Sequence, residues 1–259
     1  MADLGLPNHP VGNDLGGEAE GGFGRRWGYF KFMCGRYTLR SSWTEIVRLF
    51  GLKASAKPLS VLPRYNIAAL QEVPIIRSTP DGGREVVTAR WGLIPASSMM
   101  PDNKNPLINA RAETIMEEIA FKTAFQRRRC LVPADGFYEW QAVGGEGKQP
   151  HLIGMTGGDP FAIAGIWEPW KGPDGPVISF AIVTTSANRL VSRIHDRMPA
   201  ILDKADWDAW PDLGIRPGEA MKMLQAFPAE AMMAYKVDKR VNVQTNDDPQ
   251  CVEPLTSGA

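Results

Sequence analysis

The 259-residue chain contains little cysteine, little histidine and no excess of charge of either sign. Its three cysteines are an odd number spread over the whole length, which argues against a secreted disulfide framework and indicates a reducing compartment. Its three histidines, at positions 9, 151 and 195, are too dispersed for a histidine-rich site, and their spacing to the cysteines matches no zinc pattern. We therefore expect no bound metal.

Other absences exclude further classes of protein. Lysine plus arginine and aspartate plus glutamate both number 29, so the chain lacks the global positive field of a polybasic nucleic-acid binder. No apolar run approaches the roughly 20 residues that a membrane span requires. No glycine-rich phosphate loop occurs, so no nucleotide cofactor is indicated. These features predict a soluble, cytoplasmic protein without a cofactor, whose DNA-binding surface, if it has one, is local.

The first 33 residues differ in character from the rest. They contain eight glycines and show neither helical nor strand periodicity, which predicts a disordered leader over 1–33. Met33 stands directly before Cys34, so translation or processing at this point would produce a chain that begins with cysteine. We expect a single domain over 34–255 and a functional protein without the leader.

Short strand patterns separated by turns rich in Gly, Pro and Asp dominate the remainder. Strands are predicted at 72–77, 84–94, 129–140, 151–155, 161–170 and 178–187. Ser42 and Glu45 form a capping box before a short amphipathic helix, and further helices are predicted near 113–126, 203–210 and 217–226. Because the strands come in groups, we predict an α+β domain of mostly antiparallel sheets curled into a barrel-like core with short flanking helices.

A few polar residues in apolar surroundings are candidates for chemistry. Glu139 lies between two aromatic residues in "GFYEW", where burial should raise the pKa of its carboxyl or require a cationic partner, so it is either half of a structural ion pair or a general acid/base. Cys34 and His195, with this glutamate, would also suit a papain-like peptidase, although the spacing is weak support. On their own, Asn109 and Arg111 would be turn or surface residues. The triple arginine at 127–129 is either part of a basic groove or a solvated face.

Ordered sequence blocks carry a family resemblance. They include "MCGRYTL" (33–39), "RYNIAALQEVPIIR" (64–77), "ARWGLIP" (89–95), "NARAET" (109–114), "RRCLVPADGFYEW" (128–140), "IHDRMPAIL" (194–202) and "VNVQTNDDPQCVEP" (241–254). In this order they resemble the blocks of the SOS response-associated peptidase (SRAP) family, also called abasic-site processing proteins. The resemblance runs from Met33 almost to the C-terminus.

The resemblance implies a monomeric DNA-damage-response protein that senses abasic sites in single-stranded DNA and links to them covalently through an N-terminal cysteine; in a bacterium it would associate with the nucleoid. The catalytic residues implied by motif are Cys34, Asn109, Glu139 and His195. The implied DNA-binding residues are Arg36 and Arg111 at phosphates and Trp91 at a strand-separating wedge. Tyr65 could stack on an unpaired base, and Asn66 is a further candidate for DNA binding. For the two aromatic residues a position in the core is an equal alternative.

The chemistry implied by the resemblance needs a free α-amine. The amine forms a Schiff base with the open sugar aldehyde, which also gives a lyase-like capability, and the neighbouring sulfur closes a thiazolidine ring. An α-amine of pKa about 7.7 to 8.0 is roughly 10 to 15% neutral at pH 7, far more than a lysine. A nearby cation would be expected to supply thiolate for ring closure. Two alternatives stay open: a cysteine peptidase acting on its own leader, and a non-catalytic reader of modified bases.

Overall fold

The computed structural model describes residues 34–52, 62–145, 147–173 and 175–255. The predicted leader over 1–33 lies outside the described residues. In the described part, no helix is long and apolar enough to cross a membrane. The strands are β1 Arg36–Leu39, β2 Arg64–Ala68, β3 Glu72–Ser78, β4 Arg84–Trp91, β5 Asn109–Arg111, β6 Arg129–Ala134, β7 Gly136–Val143, β8 Gly147–Met155, β9 Phe161–Gly172, β10 Gly175–Ser186, β11 Arg197–Pro199, β12 Ile201–Leu202 and β13 Met232–Lys236. The α-helices are α1 Trp43–Leu49, α2 Ile119–Arg127 and α3 Pro217–Ala220.

Five strands close into a barrel, as the sequence predicts. The order is β10, β4, β3, β6 and β9, and pairing of β9 with β10 completes the ring. All of these pairs are antiparallel except β4 with β10. Strands β5, β11 and β12 extend this sheet, and closure protects its edges.

A second, antiparallel sheet has the order β13, β8, β7, β1 and β2. The predicted strand over 129–140 is in fact two strands, β6 in the barrel and β7 in this second sheet. Asp135 lies between them and is 5% exposed. Its carboxylate accepts hydrogen bonds from the Thr38 hydroxyl at 2.6 Å, the Arg40 Nε at 2.7 Å and the Arg40 N–H at 2.5 Å. This anchor is what turns the chain from one sheet to the other.

The first helix forms as its sequence predicts, whereas the later ones are shorter than predicted. The Ser42 hydroxyl accepts the Glu45 N–H at 3.3 Å, and the Glu45 carboxylate accepts the Ser42 N–H at 2.7 Å, which confirms the capping box. The helix predicted over 113–126 begins only at Ile119. Only a 3₁₀ turn forms within 203–210, where Trp207 is 6% exposed. We attribute this to packing, since burial of the large side chains outweighs local helix propensity.

The triple arginine is neither a groove nor a uniformly solvated face. Arg129 is 1% exposed, and its guanidinium group links several segments inside the domain. It donates hydrogen bonds to the backbone carbonyls of Phe125, Trp210, Asp212 and Ile215. Arg128 pairs with the buried carboxylate of Glu168 at 2.5 Å. Only Arg127 is exposed to solvent, so two of the three guanidinium groups stabilise the fold.

Candidate functional site

Cys34 and Glu139 form the centre of the site. Cys34 lies just before β1 and is 2% exposed. Its backbone N–H donates to Glu139 Oε1 at 2.8 Å, and its thiol hydrogen-bonds to the same side chain. Antiparallel pairing of β1 with β7, with Tyr37 opposite Phe137, brings these distant residues together. The nitrogen and the sulfur of one cysteine therefore face a single carboxylate.

Burial controls the protonation of both groups. It raises the pKa of Glu139, as the sequence predicts, while the hydrogen bond from Cys34 and the charge of His195 oppose that rise. Burial also raises the pKa of the Cys34 thiol well above its usual value; the charge of Glu139 raises it further, and Arg197 lowers it. The expectation that a cation would supply thiolate is wrong, because desolvation outweighs that cation. At neutral pH the thiol is therefore protonated, and the carboxyl group beside it is a weaker acid than an ordinary glutamate.

His195 lies at the end of the loop before β11, close enough to Glu139 for its charge to affect that carboxyl. Its Nδ1 accepts the N–H of Arg197 at 3.1 Å, so the neutral imidazole carries its proton on Nε2. The same Nδ1 lies 3.2 Å from Asp196 Oδ1. In the imidazolium form, Nδ1 also carries a proton and would donate a hydrogen bond to this carboxylate. The ring is thus held with Nε2–H as the donor.

A buried arginine fork supports this loop. Arg197 donates to both carboxylate oxygens of Glu113, at 2.7 and 2.8 Å, and to the Thr184 carbonyl at 2.7 Å. Its side chain is 10% exposed, whereas that of Glu113 is 49% exposed. Sequence reasoning missed Glu113 as a supporting residue. The available signal was an acidic residue in "NARAET" and a basic one in "HDRMP", but nothing in the sequence pairs them.

Asn109 and Arg111 occupy the short strand β5, which runs parallel to β10. Asn109 lies opposite Ile182 and Arg111 opposite Thr184, the residue whose carbonyl binds Arg197. Arg111 is exposed, and its charge contributes to lowering the pKa of Glu113. This register places both residues on the strand that adjoins the arginine fork, with Arg111 open to solvent.

The predicted DNA contact of Trp91 does not fit its placement. Its side chain is 0% exposed, and its indole N–H donates to the Ile108 carbonyl at 3.0 Å. The ring packs edge-on against Tyr37 with 5.3 Å between ring centroids. No face of the indole is open to a base, so the alternative of a core aromatic describes this residue.

Arg36 and Asn66 are also engaged internally. Arg36 donates to Asn66 Oδ1 at 2.8 Å and to the Val241 carbonyl at 2.7 Å. Asn66 is 0% exposed, and its amide donates to the carbonyls of Val241, Val243 and Asn246. Both side chains bind the C-terminal segment, so their placement does not support the predicted contact of Arg36 with a phosphate or the predicted DNA contact of Asn66. Tyr65, on β2, is half-buried.

Comparisons with known proteins agree with one another. The sequence profile of the family described as SOS response associated peptidase (SRAP) matches residues 33–244. The chain is 35% identical over 223 residues to the abasic site processing protein YoqW of Bacillus subtilis, covering 85% of this chain and 99% of that one. It is 33% identical to the abasic site processing protein HMCES of Gallus gallus, covering 76% of this chain and 67% of that one. A crystal structure of a Bacteroides thetaiotaomicron protein, 27% identical, superposes with a TM-score of 0.77 over 86% of this chain and all of that one.

Proposed function

Because the chain belongs to the SOS response associated peptidase (SRAP) family, we propose that it processes abasic sites in DNA by capturing them covalently through the α-amine and thiol of Cys34. The observation that carries this proposal is the shared carboxylate: both atoms that would form a thiazolidine face Glu139, with the nitrogen at 2.8 Å. The relatives named abasic site processing proteins support the choice of substrate.

The first step forms a Schiff base. Glu139 takes a proton from the α-ammonium, and the neutral amine then adds to the aldehyde carbon of the opened abasic sugar. Glu139 then returns this proton to the hydroxyl group, which leaves as water, and a carbon–nitrogen double bond remains. His195, as the imidazolium, gives its Nε2 proton to the ring oxygen as the sugar opens and becomes the neutral ring whose Nδ1 accepts the Arg197 N–H. Asn109, able to donate and accept, would hold the deoxyribose.

The second step closes the ring from a neutral thiol. Sulfur adds to the imine carbon, and the thiol proton moves through Glu139 to the nitrogen, so the product differs from the reactants by one water in total. A carboxyl group with a raised pKa suits this transfer, because it is a stronger base than an ordinary glutamate and can return the proton that it accepts. The buried thiol therefore needs no standing thiolate population.

The same chemistry requires a free α-amine, which an amide-linked Cys34 lacks. We therefore propose that the functional protein begins at Cys34 and that residues 1–33 are absent from it. The family profile, whose match starts at residue 33, supports this boundary. The partner we propose is single-stranded DNA that contains an abasic site, with Arg111 and Tyr65 at the rim of the site and the protein acting as a cofactor-free monomer in the compartment that holds the DNA.

Replacing the sulfur tests the mechanism. A Cys34→Ser protein keeps the amine and loses the ring-forming thiol, so it should give a labile link to abasic single-stranded DNA that borohydride traps, and no heat-resistant adduct. Cys130→Ser is the matched control, because Cys130 is 0% exposed in the barrel core and plays no part in the chemistry. A heat-resistant adduct from the Cys34→Ser protein would refute the thiazolidine step.

The two alternatives make different predictions. A cysteine peptidase relies on a thiolate nucleophile, which the raised pKa of the Cys34 thiol disfavours. Turnover of an unrelated peptide by the wild-type protein would favour that activity. A non-catalytic reader would bind intact and abasic strands equally and form no covalent product.

A further inference from the structure

A row of side chains leads away from the reactive pocket across the second sheet. In the antiparallel pairing of β7 with β8, His151 lies directly opposite Glu139, and in that of β8 with β13, Lys236 lies directly opposite His151. Directly paired residues in antiparallel strands project from the same face. Because neighbouring strands are about 4.8 Å apart, the backbone at His151 and Lys236 lies roughly 5 and 10 Å from that of Glu139.

The two basic members of this row differ in exposure. His151 is 8% exposed, and its Nδ1 lies 3.2 Å from the Gln149 carbonyl, so Nδ1 carries the proton of the neutral ring and Nε2 is an acceptor. Lys236 is exposed. Among the described residues its ammonium makes no ion pair. The row therefore passes from the buried reactive carboxyl to an accessible cation one strand beyond the histidine.

A purely structural role explains this arrangement incompletely. Leu152 and Ile153, the next residues of β8, are apolar core residues, and an apolar ring would pack at position 151 without a polar atom to satisfy. A histidine beside an unpaired lysine is instead a combination that binds phosphate, since both can donate hydrogen bonds to its oxygens. The strand pairing places these two residues one and two strands away from Glu139, the residue that faces the reactive cysteine.

We propose that His151 and Lys236 form a phosphate-binding subsite, which holds a backbone phosphate of the DNA strand beside the abasic nucleotide. This inference rests on the proposed function for the identity of the strand. It also specifies the path of the DNA strand, which would leave the reactive pocket across β8 and β13.

The subsite couples DNA binding to proton uptake. Burial and the neighbouring charge of Lys236 lower the pKa of His151, so the ring is neutral in the free protein at pH 7. A bound phosphate would raise that pKa, and one proton would be taken up from solvent. Affinity should therefore rise as pH falls through the pKa of the complex and level off below that of the free protein. The other charged group that the strand pairing places beside His151 is Glu139 on β7.

Binding of an undamaged single-stranded oligonucleotide, followed by fluorescence anisotropy, tests the subsite without the covalent step. Lys236→Met should weaken binding and lower the slope of log affinity against log salt by about 0.7, the value for one single-strand phosphate contact. Lys148→Met is the matched control, because Lys148 is an exposed lysine on β8 whose position is on the opposite face from His151. It should leave the slope unchanged.

His151→Phe keeps a ring of similar size and removes the titration. It should bind like the wild type at pH 8 and lack the gain in affinity that the wild type shows between pH 8 and pH 5.5. An unchanged pH profile in this variant, or equal slope changes for the two lysine variants, would overturn the subsite. If the wild type fails to cross-link abasic DNA but the two variants still differ from it in salt slope and pH profile, the proposed function is refuted and the subsite is supported. If the wild type cross-links normally but the variants bind DNA as it does, the subsite is refuted and the proposed function is supported.

Discussion

Glu139→Gln should change stability in opposite directions in two forms of this protein. In the 259-residue chain the nitrogen that faces Glu139 is an uncharged amide, and burial raises the pKa of the carboxyl. The folded state then binds the proton more tightly than the unfolded state, so the wild type loses stability as pH rises above the unfolded pKa. Glutamine is spared this penalty and should raise the free energy of unfolding at pH 7.

In a protein that begins at Cys34, the same nitrogen is an α-ammonium group. At the 2.8 Å separation its attraction to the carboxylate is about 6 kcal/mol with an effective dielectric constant of 20, before the desolvation of both groups is subtracted. Removing one partner of a buried ion pair costs about 3 kcal/mol at the lower end of measured values. Glutamine should therefore lower the Tm of this form by roughly 6 to 12 °C.

Urea denaturation at pH 7 measures both differences, with each form of the protein compared with its own Glu139→Gln variant. The rate of cross-linking by the shorter form should also fall by about 100-fold or more, since a general acid/base is lost. If glutamine stabilises or destabilises both forms alike, Glu139 does not pair with the α-amine and the proposed first step is refuted.

Three further substitutions test the supporting residues. Glu113→Ala leaves Arg197 without its carboxylate partner, so it should lower the free energy of unfolding, measured in urea, by about 1 to 3 kcal/mol. It should also slow single-turnover cross-linking, because the loop that carries His195 loses its support. An unchanged rate would contradict this positioning role. Trp91→Phe should lower the free energy of unfolding by about 1 to 3 kcal/mol and leave the Kd for single-stranded DNA unchanged. A large loss of affinity would instead support the predicted contact of Trp91 with DNA. Asp135→Asn should destabilise the domain by about 3 kcal/mol in thermal or urea unfolding while cross-linking per folded molecule stays at the wild-type level.

Local signals in the sequence were sufficient for much of the fold. The capping box at Ser42 and the alternating apolar segments depend on neighbouring residues, so α1 and the barrel strands could be predicted. The break at Asp135 could not, because its hydrogen-bond partners come from β1 and the residue after it, more than 90 positions earlier. The same limit applies to Arg129. Its sequence suggests a solvent-exposed guanidinium group, but that group donates to the carbonyls of Trp210 and Ile215, which are distant in sequence.

The candidate site shows a similar division. The aromatic setting of Glu139 indicated a buried carboxyl, and the structure does place this group against Cys34. Motif matching cannot report exposure, so the burial of Trp91 and Asn66 came only from the packing of the two sheets. The protonated state of the thiol was unexpected for a related reason: desolvation depends on the whole surroundings, whereas the sequence shows only the nearby cations.

The reactive group that we propose is the free amine and thiol of an N-terminal Cys34. Intact-mass measurement of the protein expressed from its native gene, before and after incubation with abasic single-stranded DNA, tests it most directly. We expect a chain that begins at Cys34 and an adduct that is heavier by the mass of the DNA minus one water. A protein that retains residues 1–33 and still forms the heat-stable adduct would contradict it.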